Sequence, residues 1–438
     1  MEAIESGKYD LSRTAVVISQ TGGGCRATNY IALIRKALHD AGHPEVPVIS
    51  LSVARTLDEN NPGFDIMKPG LVVRAIYALL YGDLMMQLLY RVRPYEATPG
   101  SADELYESLM GRAREQLPTM GRKRFYRFCQ ETVDAFEALP LVNDRSKPRV
   151  GVVGEILVKF HPTANNELVK VIESEGCEAN VPGLLDFFLM GLSNQINMKD
   201  ELGTKWTSRT ANGSAIKLVQ SMRKPIDDML AASTRFEPYE PIMELAEKAS
   251  RVLSLCNTMG EGWLLTAEMV DLIENGTPNI VCCSPFACLP NHVVGKAVIK
   301  RLRQMHPESN IVAVDYDPGA SEVNQLNRIK LMISVAKENF RELREEAAAR
   351  SAAGGDAGVA LGAVGPTDGF RLTNPDDPTT AVVAPYVEEP ERDHVGGDDS
   401  CATGGCGSQA PLQLSDEQLE RIREAKLRAA QRVEKGNE

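Results

Sequence analysis

A short apolar run followed by a loop and an amphipathic helix occurs three times along this chain. The runs are rich in Val and Ile and occupy residues 14–19, 150–158 and 280–283. Each has the length and composition of a strand, and a helix after each loop predicts a parallel sheet. We therefore expect an α/β fold with two flavodoxin- or Rossmann-like parallel-sheet domains, whose functional edge lies at the carboxyl ends of the strands.

Longer helical patterns separate these three units and predict helical insertions. Apolar positions recur at helical spacing over 71–92 and over 102–139, where Pro118 breaks the second pattern. The most apolar window, 76–89, contains polar interruptions, and we interpret it as a buried helix. The polar and mixed segment 199–240 is interpreted as a helical excursion over the surface.

Changes in composition predict the domain boundaries. The proline-bracketed segment 140–148 separates the first two units, and a run rich in Ala, Gly, Pro and Asp follows Ser351. Such a run buries too little apolar surface to offset the entropy of ordering. A capping box at 415–418 starts a last charged helix. The expected parts are an N-terminal α/β domain with a helical insertion, a C-terminal α/β domain, a disordered linker and a charged helix, at 1–147, 148–345, 346–414 and 415–438.

The overall composition excludes several classes of protein. A net charge of −12 and only 5% aromatic residues argue against nucleic acid as a partner. No apolar stretch approaches the length of a membrane span, and the N-terminus has no secretory pattern. Nine cysteines, an odd number, do not suit a disulfide framework. We expect a cytoplasmic protein with reduced cysteines and no membrane or nucleic-acid partner.

Three cysteines are candidates for metal ligation. Cys25 and Cys288 follow the first and third strand-like runs at equivalent positions, so a packed pair of α/β units can bring them together. Cys282 lies six residues before Cys288, at the end of the strand that enters its loop. Thiolates from several loops are the usual ligands of iron–sulfur clusters. The alternative is that all three are small buried side chains; Cys401 and Cys406 stay unassigned.

Other polar residues near the Cys288 loop have two interpretations each. His292 is positioned to donate a proton in an elimination or a reduction, or it is a helix-start histidine bonded to the backbone. Asp315 and Asp317 end the next predicted strand, where they bind a metal, cap a helix or hold Arg328.

Four motifs, together with the final run 315–332, carry a resemblance to a known family. The motifs are QTGGGCRATNY at 20–30, GVVGEILVKFHP at 151–162, GEGWLL at 260–265 and PFACLPNH at 285–292. They resemble the C-terminal part of large activase-type proteins related to 2-hydroxyacyl-CoA dehydratases. More distantly, the Cys288 loop and the strand after it are similar to the last α/β domain of dehydratase subunits and of double-cubane cluster proteins.

The resemblance implies an iron–sulfur cluster of the 4Fe–4S or double-cubane type, with Cys25 and Cys288 as ligands and Cys282 as a third. It also implies an ATP-dependent activator protein or domain of actin-like fold that donates low-potential electrons. The substrate would be an acyl-CoA, from which a dehydratase removes water, or another small molecule that a reductase reduces.

The chain departs from the family pattern in its middle unit. Dehydratase subunits carry a further ligand cysteine there, whereas this unit has only His161 and an out-of-place Cys177. Recognisable activator domains and a CoA-binding determinant are also missing from the sequence. We therefore expect a cysteine-bearing partner subunit to complete the site. The alternatives are a non-catalytic scaffold or electron-relay subunit of an activase complex, and a nucleotide-binding α/β protein that uses the loop Gly22 to Gly24, which lacks a Walker A motif.

Overall fold

The computed structural model describes residues 2–19, 24–51, 69–142, 145–199, 203–317, 319 and 321–352. In this part of the chain the fold is mixed α/β with two parallel sheets. The prediction of an α/β fold with parallel strands is confirmed at this level. The flavodoxin or Rossmann assignment and the domain boundaries stay predictions. The linker was predicted to start at residue 346, but the helix that begins at Glu322 continues to Ala352. The rest of the predicted linker, 353–414, and the predicted last helix, 415–438, lie outside the described residues.

The smaller sheet pairs β1 (Val16–Ser19) with β2 (Val48–Leu51), and α1 (Tyr30–Asp40) connects them. Ile31 and Leu38 lie two turns apart on α1, and both are buried in a small apolar cluster with the strands. This is the strand, cysteine loop, helix and strand that the first sequence pattern predicted.

The larger sheet has the strand order β4-β3-β5-β6. Its strands are β3 (Arg149–Gly154), β4 (Glu178–Asn180), β5 (Asn279–Pro285) and β6 (Asn310–Tyr316). Both faces of this sheet are covered by apolar clusters, as expected for parallel strands. Side chains alternate between the faces, so Cys282 lies in one cluster and the adjacent Cys283 in the other.

Among the described residues, seven helices pack around a helical core, and the last of them also packs against the larger sheet. They are α2 (Pro69–Val92), α3 (Ser101–Gln116), α4 (Arg122–Glu137), α7 (Leu185–Asn197), α8 (Trp206–Ala232), α9 (Ile242–Ser250) and α10 (Gly262–Glu274). Shorter helices α5 (Ile156–Phe160) and α6 (Leu168–Ser174) follow β3. After β5 come a one-turn helix Leu289–Asn291, a π-helical turn His292–Lys296 and α11 (Ile299–Met305). Helix α12 (Glu322–Ala352) follows β6.

Helix α2 is long and apolar enough, between Gly70 and Tyr95, to cross a membrane by length and hydropathy alone. In this fold its residues Leu84, Met85 and Leu88 are fully buried in the helical core. This confirms the interpretation of the window 76–89 as a buried helix.

Helix α8 differs from the sequence interpretation of its region. We predicted a polar excursion over the surface, but Ile226 and Leu230 are fully buried in the helical core. Apolar residues at i and i+4 are enough to bury one face of a helix whose overall composition is polar.

The strand predicted at 150–158 ends at Gly154. The φ angle of Gly154 is +142°, and a Cβ added there would lie 1.9 Å from the carbonyl oxygen of Cys283. Glu155 then caps helix α5, because its carboxylate accepts a hydrogen bond from the amide of Val158 at 3.0 Å. Apolar residues after Gly154 thus continue as a helix, although their composition favours a strand.

The helix predicted after Cys288 is interrupted. The hydroxyl of Thr266 donates a buried hydrogen bond of 2.6 Å to the carbonyl of Val294. A side chain that bonds a helix carbonyl competes with the regular ladder, and the backbone here widens into the π-helical turn.

Candidate functional site

The candidate site lies at the carboxyl end of β5, at the edge where sequence reasoning put it. The loop after β5 folds back, since the amide of Cys288 bonds the carbonyl of Pro285 at 3.1 Å. Ala287 supports this turn with a left-handed backbone, at φ +58°. The amide of Phe286 bonds the carbonyl of Tyr316, which fixes the loop to the end of β6.

Cys25 and Cys288 approach the same turn, which Gly260 forms. A Cβ added at Gly260 would lie 3.1 Å from Pro290 and 4.0 Å from the sulfur of Cys25. Burial raises the pKa of the Cys288 thiol, and the neighbouring Cys25 sulfur adds to that rise. Both cysteines are half-buried and free. The structure therefore brings together two of the predicted ligands, from loops far apart in the sequence.

Asn291 links this loop to two other segments. Its side chain is 0% exposed, and its Nδ2 donates to the Cys288 sulfur at 3.2 Å and to Oε2 of Glu261 at 3.0 Å. The other oxygen of Glu261 accepts the amide of Ile156 at 3.2 Å. Among the described residues, Oδ1 of Asn291 has no hydrogen-bond donor.

Glu261 is a buried carboxylic acid at the centre of the site. Burial raises its pKa to about 7, and the charge of Glu155 adds to this rise. Hydrogen bonds from Ile156 and Asn291 act in the opposite direction. Sequence reasoning noted the motif that contains Glu261 but did not single out this residue, because the burial of a charged side chain leaves no mark in the local pattern.

Cys282, the third predicted ligand, occupies a different environment. Its side chain is fully buried in the apolar layer with Leu265 and Met269, and its sulfur lies 3.1 Å from a Cβ added at Gly295. Burial raises its pKa to about 12. The structure does not bring Cys282 to the half-buried position that Cys25 and Cys288 share, and its role as a ligand stays a prediction.

His292 is exposed and bonded to the backbone. Its Nδ1 lies 2.8 Å from the carbonyl oxygen of Cys288, and its Nε2 lies 3.5 Å from Nζ of Lys296. This is the arrangement of a helix-start histidine, while a role in proton donation stays a prediction.

The two aspartates at the end of β6 also have local partners. Asp315 forms an ion pair with Lys296, rather than with Arg328. Asp317 accepts the amide of Gly319 at 3.1 Å, which closes the turn before α12. Both contacts are structural, although neither is the helix cap or the pairing with Arg328 that the sequence suggested.

Large apolar side chains surround the cysteine loop. Phe286 and Leu289 are each 64% exposed, and Val293 on the following turn is also exposed. Met259, beside Gly260, and Leu157, beside Ile156, are exposed as well. We call these five residues the apolar rim. Apolar residues grouped around a polar centre are typical of a binding surface.

The thiol pair alone is not a complete metal centre. Within the described ranges, no three His, Cys, Asp or Glu side chains gather closely enough to hold a metal ion. A cubane cluster usually takes four thiolates, so the described residues supply half of such a set. Comparison with protein-family models, curated proteins and solved structures finds no significant match to this chain.

Proposed function

We propose that this chain is the iron–sulfur component of a 2-hydroxyacyl-CoA dehydratase-like or related reductase system. Cys25 and Cys288 are the proposed ligands of a 4Fe–4S or double-cubane-type cluster. The observation that carries this proposal is the convergence of the two cysteine loops on the turn at Gly260. Because clusters require thiolates that converge from loops, this meeting of two distant cysteines supports cluster binding over two unrelated core residues.

The surroundings of the thiol pair also fit a cluster. Both cysteines are half-buried rather than fully buried, and each thiol would release its proton on ligation. The amide of Asn291 donates to the Cys288 sulfur, and hydrogen bonds to ligand sulfurs tune reduction potentials. When bound, the cluster would supply one-electron transfer. The chain's own groups hold the thiols in place, and the exposed imidazole of His292 is the proposed proton donor.

The remaining parts of the proposal concern the partners. Low-potential electrons come from an ATP-dependent activator of actin-like fold, and the compartment is the cytoplasm. The substrate is an acyl-CoA or another small molecule. The apolar rim beside Cys288 supports a role in docking, since it leaves large side chains available to a second molecule.

Anaerobic purification followed by iron and acid-labile sulfide analysis tests this proposal. We expect about four or more irons per chain, as a thiolate-held cubane requires, and loss of most of them in Cys25→Ala and in Cys288→Ala. Cys129→Ala is the matched control, because Cys129 is fully buried in the helical core and its loss should leave iron binding unchanged. A stable wild-type protein without iron would overturn the proposal.

A second measurement separates an enzyme from an electron relay. The cluster-loaded protein is incubated with activator, ATP and a 2-hydroxyacyl-CoA, and loss of water from the substrate is followed. Product formation identifies a dehydratase. If the activator reduces the cluster but no product forms, the chain is an electron-relay subunit.

A further inference from the structure

One end of a helical pair carries a concentration of positive charge that the proposed function does not use. Residues 112–127 cover the end of α3, the start of α4 and the short connection between them. This stretch contains six cations and a single acid, Glu115, in a chain whose net charge is −12. We call the six cations the basic tip: Arg112, Arg114, Arg122, Lys123, Arg124 and Arg127.

All six residues of the basic tip are exposed, and they stand on helices whose inner faces are packed. Ala113 on α3 and Phe125 and Phe128 on α4 are buried in the helical core. Because these buried positions lie between the cations along both helices, their packing holds the cations at the surface. Within the described ranges only one of the six forms an ion pair, which joins Arg112 to Glu131 at 3.1 Å. Most of this charge is therefore available to a second molecule.

Neutral side chains orient two of the guanidinium groups. The guanidinium of Arg124 donates to Oε1 of Gln116 at 3.0 Å. That of Arg122 lies over the ring of Tyr126, 5.8 Å from its centroid. A side chain that is already held loses less conformational entropy when it binds. The basic tip is thus partly preorganised for an incoming anion.

Helix stability does not account for all of this charge. Arg112 and Arg114 lie near the carboxyl end of α3, where the helix dipole favours cations. Arg122, Lys123 and Arg124 form the first turn of α4, which has no acidic residue and no side-chain cap. Positive charge at this end opposes the dipole and lowers helix stability. Three of the six cations thus work against the local electrostatics, which favours a role in binding.

We propose that the basic tip is a docking surface for a protein that presents a cluster of Asp and Glu side chains. Five of the six cations are arginines, and a planar guanidinium can bind a carboxylate through two parallel hydrogen bonds. Attraction between opposite charges accelerates such an association and weakens as salt is added. The docking surface is independent of the proposed cluster, because it involves no residue of the candidate site.

The surroundings of the basic tip favour a protein partner over nucleic acid or an anionic membrane. Outside residues 112–127 the chain is strongly acidic, and this charge repels an extended polyphosphate or a lipid surface. The aromatic side chains of the tip do not suit base stacking. Phe125 and Phe128 are buried, and the hydroxyl of Tyr126 donates to the carbonyl of Met222 at 2.8 Å. A compact group of carboxylates contacts the tip alone and avoids the repulsion.

Binding of a short fluorescein-labelled poly-L-glutamate peptide, followed by fluorescence anisotropy at low ionic strength, tests this surface. The full-length wild type should bind the peptide, and added salt should weaken the binding. Arg122→Gln/Lys123→Gln/Arg124→Gln should bind about tenfold more weakly, as the loss of three exposed ion pairs implies. The Tm of this variant should not fall, because the substitutions remove unfavourable charge from the start of α4.

The matched control is Lys217→Gln/Lys300→Gln/Arg301→Gln, which removes the same charge from exposed positions on α8 and α11. It should bind the peptide like the wild type. Equal weakening in both triple variants would overturn the proposal, since binding would then follow net charge. Failure of the wild type to bind at low ionic strength would overturn it as well. If duplex DNA or vesicles of anionic phospholipid bind the tip more tightly than the peptide does, the partner is not an acidic protein.

Discussion

The side-chain amide of Asn291 donates a hydrogen bond to the sulfur of Cys288, with 3.2 Å between Nδ2 and Sγ. A thiolate accepts such a bond better than a thiol does, so the contact favours the form that reacts and binds metal. Burial favours the neutral thiol instead, because it raises the pKa of Cys288. The state of the cysteine thus depends on a neighbour that sequence reasoning did not single out.

Asn291→Ala should make Cys288 a weaker nucleophile. Without the amide donor, burial dominates and the pKa of Cys288 rises further, so alkylation by iodoacetamide near pH 8 should slow several-fold. The midpoint of the pH–rate profile at Cys288, measured by mass spectrometry, separates this effect from altered access. Asn324→Ala, on the exposed side of α12, is the control. A midpoint that does not move upward in Asn291→Ala would contradict the prediction.

Glu261 should make the stability of the protein decrease as pH rises. Its pKa is raised from 4.5 to about 7 in the folded state, so the folded protein binds this proton more tightly than the unfolded chain does. Below pH 4.5 the carboxyl group of Glu261 is protonated in both states and does not lower the stability of the fold. As the pH rises through 7 the buried group ionises, and this contribution to the free energy of unfolding is lost. Full ionisation costs roughly 3 kcal/mol by this shift.

The pH dependence is measured by urea unfolding of the wild type and Glu261→Gln between pH 5 and 8. Gln cannot ionise, so the stability of the wild type relative to this variant should fall across the window. Glu247→Gln, on an exposed helix face, controls for the loss of a charge. A constant difference between wild type and Glu261→Gln would show that Glu261 keeps the same protonation state when the protein unfolds.

Lys159 and Glu268 form an ion pair of 2.9 Å whose side chains are 1% and 8% exposed. Lys159→Met should destabilise the protein by about 3–5 kcal/mol, because it leaves a buried carboxylate without its partner. The double variant Lys159→Met/Glu268→Leu should recover most of that loss. Lys224→Met, in the exposed pair with Asp228, should show no measurable change. Urea unfolding measures the stability of all three variants. If Lys159→Met is as stable as the double variant, Lys159 and Glu268 are not coupled.

Much of the fold follows from spacing that the sequence displays. The apolar window 76–89 predicted a buried helix, and Leu84 and Leu88 of α2 are fully buried, because apolar periodicity reports burial directly. The interruption near Val294 was not predictable, since it depends on the hydroxyl of Thr266, which belongs to another helix.

In the candidate site, too, some features follow from the sequence and others do not. Equivalent positions after two strands suggested that Cys25 and Cys288 come together, and the structure brings them to one turn. The bond between Glu261 and Asn291 joins residues 30 positions apart. Such pairing depends on how elements pack, so no local pattern reveals it. Whether Cys282 can reach the other two cysteines depends on the face of β5 from which its side chain projects. Strand alternation gives that face only once the register of the sheet is known.

Gly154 has a consequence for how this sequence can vary. Its backbone conformation and the 1.9 Å approach of a Cβ to the carbonyl of Cys283 exclude every other amino acid without movement of two strands. Gly111, in helix α3, has nothing within 4 Å of an added Cβ. In homologous sequences, position 154 should therefore remain glycine, while position 111 should accept alanine and other helix formers. A homologue with a side chain at position 154 would have to rebuild the junction of β3 and β5 beside the cysteine loop.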